Sequence, residues 1–219
     1  VSNRDVASPF LTSIQENAVK PIEPVFLDFK KDMSQLTAKS DIPVLYKQNT
    51  TNDLFQLIYV FDMGNNNDKA LGTAFDYLEY LGTSDMTPEE LKSEFYRLAC
   101  TFYVSPGNER TYVVLSGLNE NMPAAMQLFE KLLADAQVNK EAYDNLVGDI
   151  LKARADAKLN QGQNFSRLMN YAMYGPKSPA TNLLTEAELA SMNPQELVDR
   201  IHNQNNYKHR ILYYGPSSS

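Results

Sequence analysis

Asp76, Glu79 and Tyr80 are the residues whose types and spacing come closest to a chemical site. They stand at i, i+3 and i+4 within an apolar periodicity, so a helix would carry all three on one face. Two carboxylates and a phenol offer a proton acceptor and a few oxygen donors. They are too few for a calcium or magnesium site, which takes about six oxygens or more. The plainer alternative is that they form the polar side of an amphipathic helix.

The other reactive side chains are sparse. The single cysteine, Cys100, sits in the apolar run Leu98-Ala99-Cys100-Thr101-Phe102 and reads as a buried small hydrophobe. With one cysteine there is no internal disulfide. The two histidines, His202 and His209, flank Asn203-Gln204-Asn205-Asn206-Tyr207, which is not the spacing of a zinc pair, and they read as solvated loop residues. Four of the 13 tyrosines, Tyr171, Tyr174, Tyr213 and Tyr214, are candidates to face a partner domain.

The elements that must position these residues follow from the pattern of apolar positions. The 219 residues are 43% hydrophobic and 21% charged, a globular composition with enough length for one large domain. The net charge of −7 and the scattered Lys and Arg exclude a phosphate-backbone binder, so no nucleic-acid partner is expected. No apolar run is long enough for membrane insertion. Val1-Ser2-Asn3-Arg4-Asp5 has no hydrophobic signal core and no initial Met, as expected of a fragment or a processed product. Residues 1–24, punctuated by Pro9, Pro21 and Pro24, read as a connector, and residues 25–219 as one domain.

Strands are expected over Pro43 to Gln48 and Leu54 to Asp62. The turn Gly64-Asn65-Asn66-Asn67-Asp68 leads to a helix with apolar positions from Ala70 to Leu81, stopped by Gly82. Thr87-Pro88-Glu89-Glu90 carries a capping box and opens the next helix, to about Leu98. Strands Thr101 to Ser105 and Thr111 to Leu118 flank the turn at Pro106-Gly107-Asn108 as a hairpin. A helix capped by Asn121 runs to about Ala136. A long helical stretch from Lys140 to Tyr174 breaks near Gly162. Two short capped helices, from Thr185 and from Asn193, precede a last strand, His209 to Tyr214. The fold class is α+β: a largely antiparallel sheet with helices packed on one face.

This order resembles a domain of the insulysin/pitrilysin zinc peptidases, the inverted zincins, whose fold is similar to the processing-peptidase and LuxS-like metallohydrolase domain. The resemblance rests on a strand, a Gly-Asn turn and an amphipathic helix ending in Leu81-Gly82-Thr83. It continues through Ser116-Gly117-Leu118-Asn119-Glu120-Asn121 and the helix from Lys140 to Ala157, so that it spans about residue 25 to the end. In active members the helix carries H-x-x-E-H, in which two His one turn apart hold zinc and the Glu activates water. Here that segment reads Asp76-Tyr77-Leu78-Glu79-Tyr80. Only the Glu remains, and no Glu occurs between Glu141 and Glu186 to complete the ligand set.

The resemblance therefore implies a non-catalytic, chamber-forming domain that binds no metal and has no catalytic residue of its own. Zinc is implied in the other half of the parent, a bacterial-type peptidase. The implied partners are that catalytic half, in the same chain or as a separate subunit, and the peptide substrate. The alternative is a non-proteolytic scaffold or binding domain built on the same fold. The family's non-catalytic half also supplies an Arg and a Tyr that hold the substrate carbonyl. Arg97 and Tyr103 have such spacing, although the family places its pair in the last domain. Otherwise they are a surface arginine and a strand tyrosine packed on the sheet.

Overall fold

The computed structural model describes residues 7–19, 21–24 and 26–218, the side chains of residues 40, 177 and 205 aside. The chain forms two compact units, residues 1–32 and 33–219. Val25, where the sequence reading opens the domain, lies outside the described residues. In the first unit Ser8 caps a short helix, α1 (Pro9–Gln15), by accepting from the Leu11 amide. No residue of α1 is buried.

The second unit is built on six strands: β1 (Ser34–Ala38), β2 (Ile42–Gln48), β3 (Leu54–Phe61), β4 (Cys100–Pro106), β5 (Thr111–Leu118) and β6 (His209–Gly215). They form one sheet in the order β1-β2-β6-β3-β5-β4. All neighbours are antiparallel except β2 and β6. The expected α+β class and largely antiparallel sheet are observed. β1 was not expected from the sequence: Ser-Gln-Leu-Thr-Ala is exposed along its whole length and has no apolar alternation. Pairing with β2 creates it.

The helices are α2 (Leu71–Leu78), α3 (Pro88–Arg97), α4 (Met122–Asp135), α5 (Lys140–Leu159), α6 (Gln161–Tyr174), α7 (Glu186–Ser191) and α8 (Pro194–His202). Helices other than α6, which has no buried residue, cover the sheet face that carries Phe55, Leu57 and Phe61 from β3, Cys100 from β4, and Val113 and Leu115 from β5. These residues share one core with Ala74, Leu78, Phe129, Leu132, Leu197 and Ile201 from the helices. Strand alternation sends the intervening residues to the other face. There Leu45, Leu212, Ile58, Val114 and Tyr103 pair in turn and make a row across five strands.

Most caps agree with the sequence. Thr87 and Glu90 close a reciprocal box at α3, and Asn193 caps α8. Asn121 does not cap α4. A 3-10 turn precedes that helix, and the Asn121 amide instead donates to the Leu98 carbonyl at 2.8 Å. The break expected near Gly162 falls at Asn160, whose side chain accepts from the Gln163 amide and starts α6. Neither histidine is a loop residue: the exposed His202 ends α8, and His209 opens β6, with its ring 5.0 Å from that of Phe61.

At α7 the Glu188 carboxylate closes the box with Thr185 and also pairs with Lys69 from the turn before α2. The Lys69 ammonium, then the Thr185 amide and hydroxyl, hold its pKa at about 2 instead of 4.5. A depressed carboxylate contributes stability above its unfolded pKa and loses it as pH falls toward the folded one. Glu188→Gln is therefore expected to flatten the fall in urea midpoint on acidification from about pH 6 to about pH 3. A variant that loses as much as the wild type would show that the pair does not drive the acid response.

Candidate functional site

Helix α2 is amphipathic. Leu71, Ala74, Phe75, Tyr77 and Leu78 are buried, and Asp76 is exposed. The helix ends at Leu78, inside the degenerate motif, rather than continuing to Leu81. From there Tyr80 bonds back to Tyr77 and Leu81 to Leu78, each across three residues. That tighter winding stacks positions three apart. It buries Leu78 and Leu81 together, at 1% and 2% exposure. Tyr80 is therefore off the α-helix and 44% exposed, with the Lys92 ammonium 6.0 Å from its ring centroid. Gly82 follows because the chain turns sharply: a Cβ there would lie 2.3 Å from the Met86 carbonyl oxygen.

The three motif positions hence do not converge. Asp76 lies one turn before Glu79. Partial desolvation, and then the charge of Glu79, raise the Asp76 pKa. Neither carboxylate has an ion-pair partner among the described residues. Tyr80 instead borders a small cleft with Asn145 and Asp149 of α5. Glu79 lines a larger, apolar cleft of about 670 Å³ between α2, α3 and β4. Its walls include Leu81, Leu91, Phe95, Cys100 and Leu132. Cys100 is 1% exposed, and burial pushes its thiol pKa up, consistent with a packed hydrophobe.

These residues do not fit zinc. Zinc sites use His, Cys or carboxylate donors converging at tetrahedral positions. Here the second-His position carries a phenol turned toward α5, and no group of three His, Cys, Asp or Glu able to hold a metal occurs among the described residues. Replacing both motif positions, Asp76→His with Tyr80→His, is expected to leave the protein free of zinc after dialysis. Position 80 has left the helix, and no second-shell support holds a new imidazole. Close to one zinc per chain by elemental analysis would overturn this.

Arg97 and Tyr103 are placed apart. Arg97 ends α3, where its guanidinium grips Glu94 through two bonds, of 2.9 and 2.5 Å. Phe102 packs against Phe95 of α3 with the rings tilted and their centroids 5.0 Å apart, so its side chain faces the helices. Tyr103, the next residue, therefore faces the opposite side of the sheet, half exposed.

Spacing gave no signal for Tyr77, which is fully buried. Its hydroxyl donates to the Asn139 carbonyl at 2.5 Å and accepts from the Asn139 amide at 2.8 Å. Its ring meets Tyr143 of α5 edge-on at 5.8 Å. Tyr143 in turn donates to the Leu189 carbonyl of α7 at 2.6 Å. This chain ties α2 to α5 and α7. A tyrosine between two polar motif positions reads as one more apolar residue, and only its distant partners reveal the role.

No protein-family model and no curated protein matches the sequence. Solved structures do. A peptidase M16 inactive domain from Pseudomonas fluorescens superposes with a TM-score of 0.72 at 14% identity, over 85% of this chain and 47% of that one. The chain has the fold of an M16 peptidase domain. The periplasmic protease PqqL from Escherichia coli matches with a TM-score of 0.71 at 13% identity, over 98% of this chain and 27% of that one. The ferredoxin protease FusC, solved with Arabidopsis ferredoxin, matches at 0.71 and 12% identity, over 93% of this chain and 24% of that one. The chain thus spans between a quarter and a half of the M16-fold proteins it matches. Among the described residues no helix is long and apolar enough to cross a membrane.

Proposed function

We propose that this chain is a chamber-forming domain from the non-catalytic half of a zinc-dependent M16-type peptidase. Peptide hydrolysis would take place in the other half, which would supply the zinc, its ligands and the water-activating Glu. The observation that carries the reading is the state of the motif helix. The fold keeps α2 and its contact with α5, yet Tyr80 borders a different cleft from Glu79, and no group of three His, Cys, Asp or Glu able to hold a metal occurs among the described residues. The likeness to a solved M16 inactive domain supports the same assignment.

A companion domain is part of this proposal. The row Leu45, Leu212, Ile58, Val114 and Tyr103 lies on the sheet face turned away from the helices, where Val114 is buried, Leu45, Leu212 and Ile58 are half-buried and Tyr103 is exposed to a neighbour. Residues 1–24 would be the connector from the preceding half. Arg97 and Tyr103, on different sides of the sheet, would act separately if either meets substrate. Arg97 must first leave Glu94, whereas Tyr103 is already free to contact a neighbour.

The test uses the parent protein. Its reading frame is expected to encode H-x-x-E-H upstream of this segment. Deleting the segment from that parent is expected to lower peptide turnover by about a hundredfold or more while the remaining half keeps its zinc, since enclosure and orientation of the peptide are lost. A parent without H-x-x-E-H would replace this reading with a non-proteolytic scaffold. Undiminished turnover after the deletion would remove the chamber role.

A further inference from the structure

The chain leaves β6 under a set of bonds that belongs to no strand ladder or helix. Tyr213 folds back over Gly215, where a Cβ would lie 2.6 Å from the Tyr213 Cζ and 3.0 Å from the Phe55 Cβ. Only a glycine leaves room for the phenol there. The Tyr213 hydroxyl accepts from the Ser217 amide at 3.2 Å and donates to the Asn119 Oδ1 at 3.1 Å. The Ser217 carbonyl accepts from the Tyr46 hydroxyl at 2.8 Å. The Ser217 Oγ accepts from the Asn119 Nδ2 at 2.9 Å and lies 3.1 Å from its Oδ1. All three polar groups of Ser217 are thus spent on side chains from elsewhere in the sheet. Tyr46 and Tyr213 stack across the parallel pair β2 and β6, with centroids 5.6 Å apart and planes 9° from parallel.

β3 lies between β6 and β5, so a tail that follows β6 and bonds to Asn119 after β5 crosses the start of β3. Its base is fixed as well. The Gly215 carbonyl accepts from the Asn49 amide at 2.8 Å. Asn49 is buried, and its side chain ties the turn before β3 by accepting from the Thr51 amide and donating to the Leu54 carbonyl. On the far side, the Asn119 amide donates to the Asp53 carbonyl of that same turn at 2.9 Å. The tail therefore meets the β2–β3 turn and the 3-10 turn Asn119–Asn121 at one end of the sheet.

We propose that residues 215–217 form a releasable strap, which when closed fixes the direction in which the chain leaves the sheet and holds the Asn119–Asn121 turn, and which opens without unfolding the strands. Its bonds join neutral, half-buried groups, each of modest net strength, and none of the Ser217 bonds is part of a ladder. Opening is then a local event that costs less than global unfolding. The inference goes beyond the chamber reading, because the strap holds the tail whether or not another half cuts peptides.

Amide exchange followed by NMR tests it. Tyr213→Phe keeps the ring stack and removes both bonds of the hydroxyl. It is expected to speed exchange of the Ser217 and Asn119 amides by about tenfold or more, with the amides of the β3–β5 ladder unchanged. Gly215→Ala keeps the hydroxyl but displaces the ring, and is expected to release the same two amides. A nitroxide on Ser218→Cys, with Cys100 replaced by Ala, is expected to report restricted motion that becomes free in both variants. Unchanged exchange and label motion in both variants would overturn the proposal. So would release of Ser217 without Asn119, since the strap would then not hold the turn. Equal acceleration of the ladder amides would also overturn it, since the tail would then open only with the sheet.

Discussion

Gly117→Ala is expected to destabilise the protein by about 3 kcal/mol or more, the combined scale of an overpacked core and a strained backbone. Gly117 has φ +155°, and a Cβ there would lie 2.4 Å from the Ala99 carbonyl oxygen and 2.6 Å from the Cys100 Cα. Both neighbours are backbone and cannot step aside. Ala99 is itself left-handed, at φ 49°, where the chain leaves α3 and enters β4 across only Leu98 and Ala99. Its carbonyl accepts from the Leu118 amide and so pins the start of the β4–β5 ladder. The side chain added at position 117 would push that carbonyl away and open the ladder at the end where the apolar cleft begins. Urea unfolding of Gly117→Ala beside Gly148→Ala isolates the cause. Gly148 lies within α5 with nothing within 4 Å of its would-be Cβ. Alanine there is expected to stabilise by about 0.5–1 kcal/mol. Equal effects at the two sites would show that close approach at Gly117 does not matter.

Local signals carried much of the fold. The Thr87-Pro88-Glu90 box opens α3, and the Leu54 to Asp62 run becomes β3 almost to the residue, because capping and apolar periodicity are properties of neighbours in sequence. What could not be read is what distant partners decide. β2 lies parallel to β6 from the far end of the chain, and β1 exists only because β2 pairs with it. The end of α2 was misplaced because the apolar spacing continues through Leu81 while the hydrogen bonding shifts to the tighter turn. At the candidate site, the loss of both motif imidazoles was plain in the sequence. The separation of Arg97 from Tyr103 was not, since it depends on which side of the sheet α3 packs. The open edge of β4 likewise follows only from the strand order.

Tyr77→Phe is expected to lower stability by about 2 kcal/mol, the scale of leaving buried backbone groups unpaired. For a domain of this length that corresponds to a melting point lower by about 4–8 °C. The hydroxyl is the common partner of the Asn139 amide and carbonyl, and the phenylalanine ring fills the same space without serving either. Burial raises the Tyr77 pKa, so the hydroxyl stays protonated and able to donate. Asn139 also caps α5 through its side chain, accepting from the Ala142 amide. Loss of the hydroxyl thus loosens the start of the helix against which α2 packs. This bears on how the fold outlasts its chemistry. In an active member of the resembled family, zinc joins the motif helix to the downstream helix through His and Glu ligands. In this chain the Tyr77–Asn139 bonds and the Tyr77–Tyr143 contact make that junction from backbone and phenol alone. Adding Tyr77→Phe to the Asp76→His, Tyr80→His pair separates the two kinds of junction. The triple variant is expected to melt at the lowered temperature with or without zinc, because the metal has no third ligand on α5 through which to rejoin the helices. If zinc instead restores the wild-type melting point, α5 does present a ligand, and Asn145 and Asp149, which border the cleft with Tyr80, are the residues to test for it.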